Sequence, residues 1–188
     1  MKKKTIVLLV VLALALILVL AFVGMYNGLA SEREAVETAR STISVQLQRR
    51  NDLIPNLVST VKGYAAHETE AIEQVTTARA NMMGAQTPAD QAQASDQLSS
   101  ALARLAVVVE NYPDLKANEN YVALQDELAG TENRIAVARR DYNEAVKTYN
   151  TQIVRFPKNL IAGIFGFEKA DYFEAAAGAE NVPQVDFS

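Results

Sequence analysis

The stretch YVALQDELAGTENRIAVARRDYNEAVKTY, residues 121–149, decides the fold. Tyr121, Leu128, Ile135, Tyr142 and Tyr149 lie seven residues apart, and Leu124, Thr131, Ala138 and Ala145 fill the interleaved positions. Seven residues make almost two turns of α-helix, so both sets fall on one stripe, with large and small side chains alternating along a coiled-coil-like seam. The spacing predicts a long, straight helix. Tyr142-Asn143 and Tyr149-Asn150 resemble a short repeat, but core tyrosines with polar neighbours in one heptad register account for both.

A helix with one apolar stripe needs partners, and the preceding sequence supplies three. Leu29, Val36, Ile43 and Leu47 share a face that excludes most of Glu34, Glu37, Arg40 and Gln48, which describes an amphipathic helix expected to end near Arg50. Asn51 and Asp52 offer caps for a second helix, with Pro55 in its first turn and Leu57, Val61, Tyr64, Ile72, Val75 and Met82 as its stripe, stopping at Gly84. Thr87 caps a third, with Pro88 at the first helical position and Asp90 as the acid of a capping box. Leu98, Leu102, Leu105, Val109 and Tyr112 continue its stripe until Pro113. No strand signal, glycine-rich phosphate loop or longer internal repeat competes. The fold class is therefore all-α. Helices joined by short turns are antiparallel neighbours, so four of them bury their stripes as an up-down-up-down bundle over residues 26–155.

Residues 6–25 run from Ile6 to Met25 without a charge. About twenty helical residues cross a hydrocarbon core of roughly 30 Å, whereas the apolar region of a cleaved signal peptide is shorter, about 7 to 15 residues. A retained transmembrane helix, continuous with the first bundle helix, is the expectation. Lys2, Lys3 and Lys4 precede it in a basic tail of residues 1–5, and Glu32, Arg33 and Glu34 follow, so the positive-inside rule puts the N-terminus in the cytoplasm and the bundle outside. Tyr26 stands where interfacial aromatics anchor a span. Gly24 and Gly28 form a GxxxG at the membrane edge, where a local bend or close packing explains them better than a dimer contact.

After the last long helix comes RFPKNLIAGIFGF, residues 155–167, which packs Phe156, Leu160, Ile161, Ile164, Phe165 and Phe167 around two glycines. Four antiparallel helices bring this segment back to the membrane-near end. Two readings follow for residues 156–173: an apolar membrane-proximal segment lying in the interface, with Arg155, Lys158 and Lys169 toward lipid phosphates, or a cap on the bundle core. Residues 174–188 form a C-terminal tail.

Three stretches carry a resemblance to a known family. YNGLASEREAVETARSTISVQLQRRNDLIPNLVSTVKGYAAHE from Tyr26, ELAGTENRIAVARRDYNEAVKTYNTQI from Glu127 and FPKNLIAGIFGF from Phe156 resemble the LemA family of bacterial membrane proteins, and the terminal VPQVDF is similar to the usual family ending. The sequence departs from the common pattern at Arg40 and Asn51, where relatives often carry aromatics. The resemblance implies an N-terminal span followed by a long helical bundle, and it implies no particular reaction.

Side chains suited to chemistry are few. There is no Cys, which excludes disulfides, thiolate metal sites and a cysteine nucleophile, and His67 is the single His. Glu68 and Glu70 lack a second histidine beside them, no Ser stands in a nucleophile elbow, and Asp126 and Glu127 point to different helix faces. The Glu-x-x-His pairs of a carboxylate-bridged metal centre are missing. Arg49, Arg50 and Asp52 at the expected helix junction, and Arg139, Arg140 and Asp141 in the last helix, fit solvated or inter-helix ion pairs. The chain is expected to be no enzyme, with no catalytic, cofactor-binding or metal residues. Its net charge of -4, more acidic still without the N-terminal lysines, speaks against nucleic acid. What is distinctive concerns helix packing and membrane placement, which points to a membrane-anchored scaffold meeting lipid, further copies of itself or another membrane protein. The alternative is an extracytoplasmic sensing or ligand-binding module that signals through a partner.

Overall fold

The structure, a computed structural model, describes residues 2–173, so the expected tail at 174–188 lies outside the described residues. The described chain contains helices and turns, with no strand among those residues. Six helices follow in order: α1 Lys2–Tyr64, α2 Thr69–Gly84, α3 Pro88–Val109, α4 Pro113–Lys116, α5 Glu119–Val154 and α6 Lys158–Phe165.

The expected break near Arg50 is absent. α1 runs without interruption from the apolar N-terminal stretch through Asn51, Asp52 and Pro55 to Tyr64. A proline inside a helix removes one N–H and leaves the carbonyl four residues earlier without its donor, at a cost of about 3 kcal/mol. Here that carbonyl belongs to Asn51, and Arg79 of α2 supplies the missing donor through Nε at 2.9 Å. Ile54, Leu57 and Val61, immediately around and beyond the proline, are all at most 1% exposed. Burying three large aliphatic side chains contributes about 1.5–3 kcal/mol each, more than the proline takes away. Packing overrides the local signal.

The chain reverses instead at residues 65–68, a turn without glycine or proline. Distant partners hold it. Tyr112 donates its hydroxyl to Glu68 Oε1 at 2.8 Å, and Asn118 donates to the Tyr64 hydroxyl at 3.0 Å. The second helix is accordingly Thr69–Gly84 rather than a longer one starting near Asp52. The start of α3 conforms to expectation: Thr87 Oγ1 accepts from Asp90 N at 3.1 Å, the Asp90 carboxylate reaches back to the Thr87 N–H, and Pro88 opens the helix.

The residues sort into two packed units. Over the described residues one comprises 2–40 with 143–171, the other 41–142 with 172–173. In the second unit, Ile54, Leu57 and Val61 of α1, Ile72, Val75 and Ala78 of α2, Leu98, Ala101, Leu105 and Val109 of α3, and Tyr121 and Leu128 of α5 share one core, closed by Leu115 of the short α4. Cross-helix pairs fix the directions. Arg49 with Glu127 and Tyr64 with Asn118 set α1 and α5 antiparallel, and Gln74 with Arg104 and Asn81 with Gln97 do the same for α2 and α3. Tyr121, Leu128, Ile135, Tyr142 and Tyr149 of α5 are all buried as the spacing predicts, and Thr131 and Ala138 with them, whereas Leu124 and Ala145 are half-buried and Val146 takes the buried place beside Ala145.

In the first unit the buried side chains are Leu29 and Val36 from α1, Val146, Tyr149 and Ile153 from α5, and Ile161 and Ala162 from α6. The apolar stretch at the start of α1 is long and apolar enough to cross a membrane, and its side chains are exposed among the described residues.

Candidate functional site

The first unit's distinctive surface is built by α6. Gly166 ends this helix in the left-handed region, at φ 70°, where a side chain would be strained, and the Phe167 N–H then closes onto the Ala162 carbonyl at 3.0 Å. Beyond it, the side chain of Asn150 on α5 binds the backbone of Ala170 twice, donating to its carbonyl and accepting from its N–H, both at 2.9 Å.

α6 is apolar on more than one side. Ile161 and Ala162 are buried, while Leu160 is 58% and Ile164 72% exposed, and Phe156 just before the helix is 80% exposed. One side of α6 is thus buried within the unit, and the other is exposed. Aromatic contacts tie the open side to the end of the apolar run in α1. The Phe165 ring lies 4.9 Å from that of Tyr26 and 5.8 Å from that of Phe22, and Phe167 meets Tyr26 at 5.7 Å. Centroids at these distances and tilts are favourable aromatic pairs.

Among the cations expected to face lipid phosphates, Lys158 donates to Gln152 Oε1 at 2.7 Å, while Arg155 and Lys169 are exposed. A methyl group at Gly28 would meet Lys158 Nζ at an ordinary contact distance of 3.7 Å, and one at Gly24 would meet no described residue within 4 Å, so packing among the described residues requires neither glycine.

The second unit holds a buried polar layer. Arg50 is 3% exposed, its Nη1 donating to Ser95 Oγ at 3.2 Å and its Nη2 to Ser99 Oγ at 2.9 Å. Nη1 also lies 2.8 Å from Glu132 Oε2, as an ion pair without hydrogen-bond alignment. Burial pushes the Arg50 guanidinium below its ordinary pKa, and the Glu132 carboxylate pulls it back up. Arg139 lies 3.5 Å from Asp96, and its guanidinium carbon stands 4.6 Å from the Phe173 ring centre. Its Nε and Nη2 are buried without an acceptor among the described residues, so the ring's π face is what stabilises that side of the cation. Arg50 as a core residue was not expected, yet a signal existed: it stands seven residues after Ile43 and seven before Leu57, in the register of the stripe.

The remaining singled-out residues are dispersed. His67 is exposed in the turn after α1, Glu68 accepts from Tyr112, and Glu70 accepts from Gln74 at 3.2 Å. Asp52 accepts from Gln48 at 2.7 Å, and Asp126 is exposed. Glu127 pairs with Arg49 at 2.6 Å and Arg134 at 2.9 Å, while Arg140 pairs with the adjacent Asp141 at 3.1 Å. Among the described residues no three His, Asp or Glu side chains come together as metal ligands would. Of these, the pairs of Glu127 with Arg49 and of Glu68 with Tyr112 join separate segments, and none joins a nucleophile to a base.

Magnetosome protein MamQ 2 of Paramagnetospirillum magneticum is 31% identical over 175 residues, covering 79% of this chain and 64% of the relative. The chain thus spans less than two thirds of the length of that relative. Magnetosome protein MamQ of Magnetospirillum gryphiswaldense is 28% identical over 207 residues, covering 93% and 76%, and Protein LemA of Metamycoplasma hominis is 26% identical over 167 residues, covering 88% and 74%. The profile of the LemA family matches residues 39–187, and so the protein belongs to the LemA family.

Proposed function

We propose that this protein is a single-pass, membrane-anchored scaffold without enzymatic activity, acting through helix packing and self-association at the cell envelope. The observation that carries the reading is the open apolar face of α6, joined by aromatic contacts to the end of the apolar run in α1. Arg49, Arg50 and Glu68 are engaged in ion pairs and hydrogen bonds between helices or their ends, which fits a packing role. The relatives named as magnetosome proteins are named for a cellular structure and not for a reaction, which supports the same reading. We place residues 1–5 in the cytoplasm, the span at 6–25 and the helical chain from Tyr26 onward outside, because Lys2, Lys3 and Lys4 precede the span.

Two measurements test this. Full-length chains extracted in mild detergent should form particles of several times 20.5 kDa, and particles of a single chain would remove the self-association. Protease added to intact spheroplasts should digest the helical units. Protection there, with digestion in inverted vesicles, would reverse the orientation. A sensing module would instead copurify with a small molecule. The groove between α2 and α3, about 700 Å³ in volume and crossed by the Arg104–Gln74 hydrogen bond at 3.2 Å, is where such a molecule would be sought.

A further inference from the structure

We infer that the open face of α6 is inserted in the interface of the same bilayer that α1 crosses, so that the chain meets lipid at two places far apart in sequence. The inference rests on the reading of α1 as a membrane span.

Position carries the argument first. Phe22 belongs to the apolar run, and its ring is 5.8 Å from that of Phe165. Tyr26 stands at the run's end, where aromatic side chains with a polar tip sit at headgroup depth, and it holds both Phe165 and Phe167. Phe22 is 38% exposed and Phe165 49% exposed. Whatever surrounds the span at Phe22 therefore reaches Phe165 as well. A helix of eight residues is about 12 Å long at 1.5 Å per residue, too short to cross and suited to lying along the boundary.

Composition carries it next. Phe156, Leu160, Ile164 and Phe165 are exposed within ten residues of chain, a concentration that soluble surfaces avoid unless something covers it. The charges nearby nearly balance, with Arg155 and Lys169 exposed beside exposed Glu168 and Asp171, and Lys158 engaged by Gln152. Apolar area, and not attraction to anionic headgroups, drives the contact. The occupant is the acyl boundary of a bilayer of any headgroup charge.

The chain contains no Trp, so a single introduced indole reports one position. Full-length Ile164→Trp, Leu160→Trp and Leu14→Trp would be reconstituted in phosphatidylcholine vesicles whose acyl chains carry bromine near the headgroup or near the bilayer centre. Both α6 positions are exposed, so neither substitution disturbs the core. Indoles at Ile164 and Leu160 should be quenched more by the shallow bromines than by the deep ones, consistent with burial of roughly 5–10 Å at the headgroup boundary, and adding anionic lipid should change this little. The Leu14 indole should be quenched most by the deep bromines. Quenching of both α6 indoles by aqueous iodide but not by bromolipid, with Leu14 still quenched by lipid, would overturn the inference and leave the span standing. Loss of lipid quenching at Leu14 as well would remove the span and the inference together. Shielding of both α6 indoles from iodide and bromolipid alike would show that protein, such as a second copy, covers the face, and would also overturn the inference.

Discussion

Arg79 Nε donates to the carbonyl oxygen of Asn51 at 2.9 Å, four residues before the proline that denies that carbonyl a donor from its own helix. The two features should be energetically coupled. Arg79→Ala is expected to destabilise the chain by about 1–3 kcal/mol, the range for a charged hydrogen bond to a part-buried group. In a Pro55→Ala background, where an N–H returns to the helix, the same change should cost about 1 kcal/mol less. Denaturant unfolding of the four full-length variants in detergent measures the cycle. Additive effects would mean that the carbonyl is satisfied by other means.

Arg50 invites a test of a different kind, because its partners differ in their access to water. Arg50→Met keeps the length of the side chain but leaves the fully buried Ser95 hydroxyl without its donor, and Glu132, whose side chain is 45% exposed, can hydrate. A loss of about 1–3 kcal/mol is expected. Arg50→Glu places like charge beside Glu132 in a buried layer and should cost about 3–5 kcal/mol or more. Thermal unfolding separates them, and equal tolerance of both would show that the layer is hydrated.

Alkaline pH should destabilise the protein. Burial raises the pKa of Tyr121 and Tyr149, and the hydrogen bond to Glu68, with burial second, raises that of Tyr112. The folded chain therefore holds these phenolic protons more tightly than the unfolded chain. Their contribution is complete below the ordinary tyrosine value of about 10 and is lost as pH rises through the higher folded values. Unfolding followed from neutral pH upward should show stability declining above about pH 10, with a smaller decline in Tyr121→Phe and Tyr149→Phe.

Thr87→Ala should cost about 0.5–2 kcal/mol, since it removes the acceptor for the Asp90 N–H and half of a reciprocal cap. An Asn at the same position should restore most of the loss.

That cap was readable in the sequence because every partner lies within four residues. The stripe of α5 was readable because one heptad register continues through it. The end of α1 was not. Pro55 and the capping types Asn51 and Asp52 are local signals for a boundary, whereas the features that overrule them, Arg79 and the core around Ile54 and Leu57, come from elsewhere in the chain. The true turn at residues 65–68 is held by Tyr112 and Asn118, and no window around the turn contains either. The apolar character of the segment at 155–167 was readable in composition, but its division into a buried and an open face depends on where Gly166 stops α6 and where the rings of Phe22 and Tyr26 stand.

The double bond from Asn150 to the Ala170 backbone has a thermodynamic meaning for α6. Short peptides that lie on bilayers are commonly unstructured in water and become helical on contact, so the entropy lost in ordering subtracts from their affinity. Here the chain on either side of α6 is fastened to α5, and the glycine cap stops the helix without help from lipid. Its conformational entropy is surrendered when the protein folds, before any surface is met. On the inference above, α6 meets lipid as a rigid foot instead of a segment that coils and uncoils with the membrane.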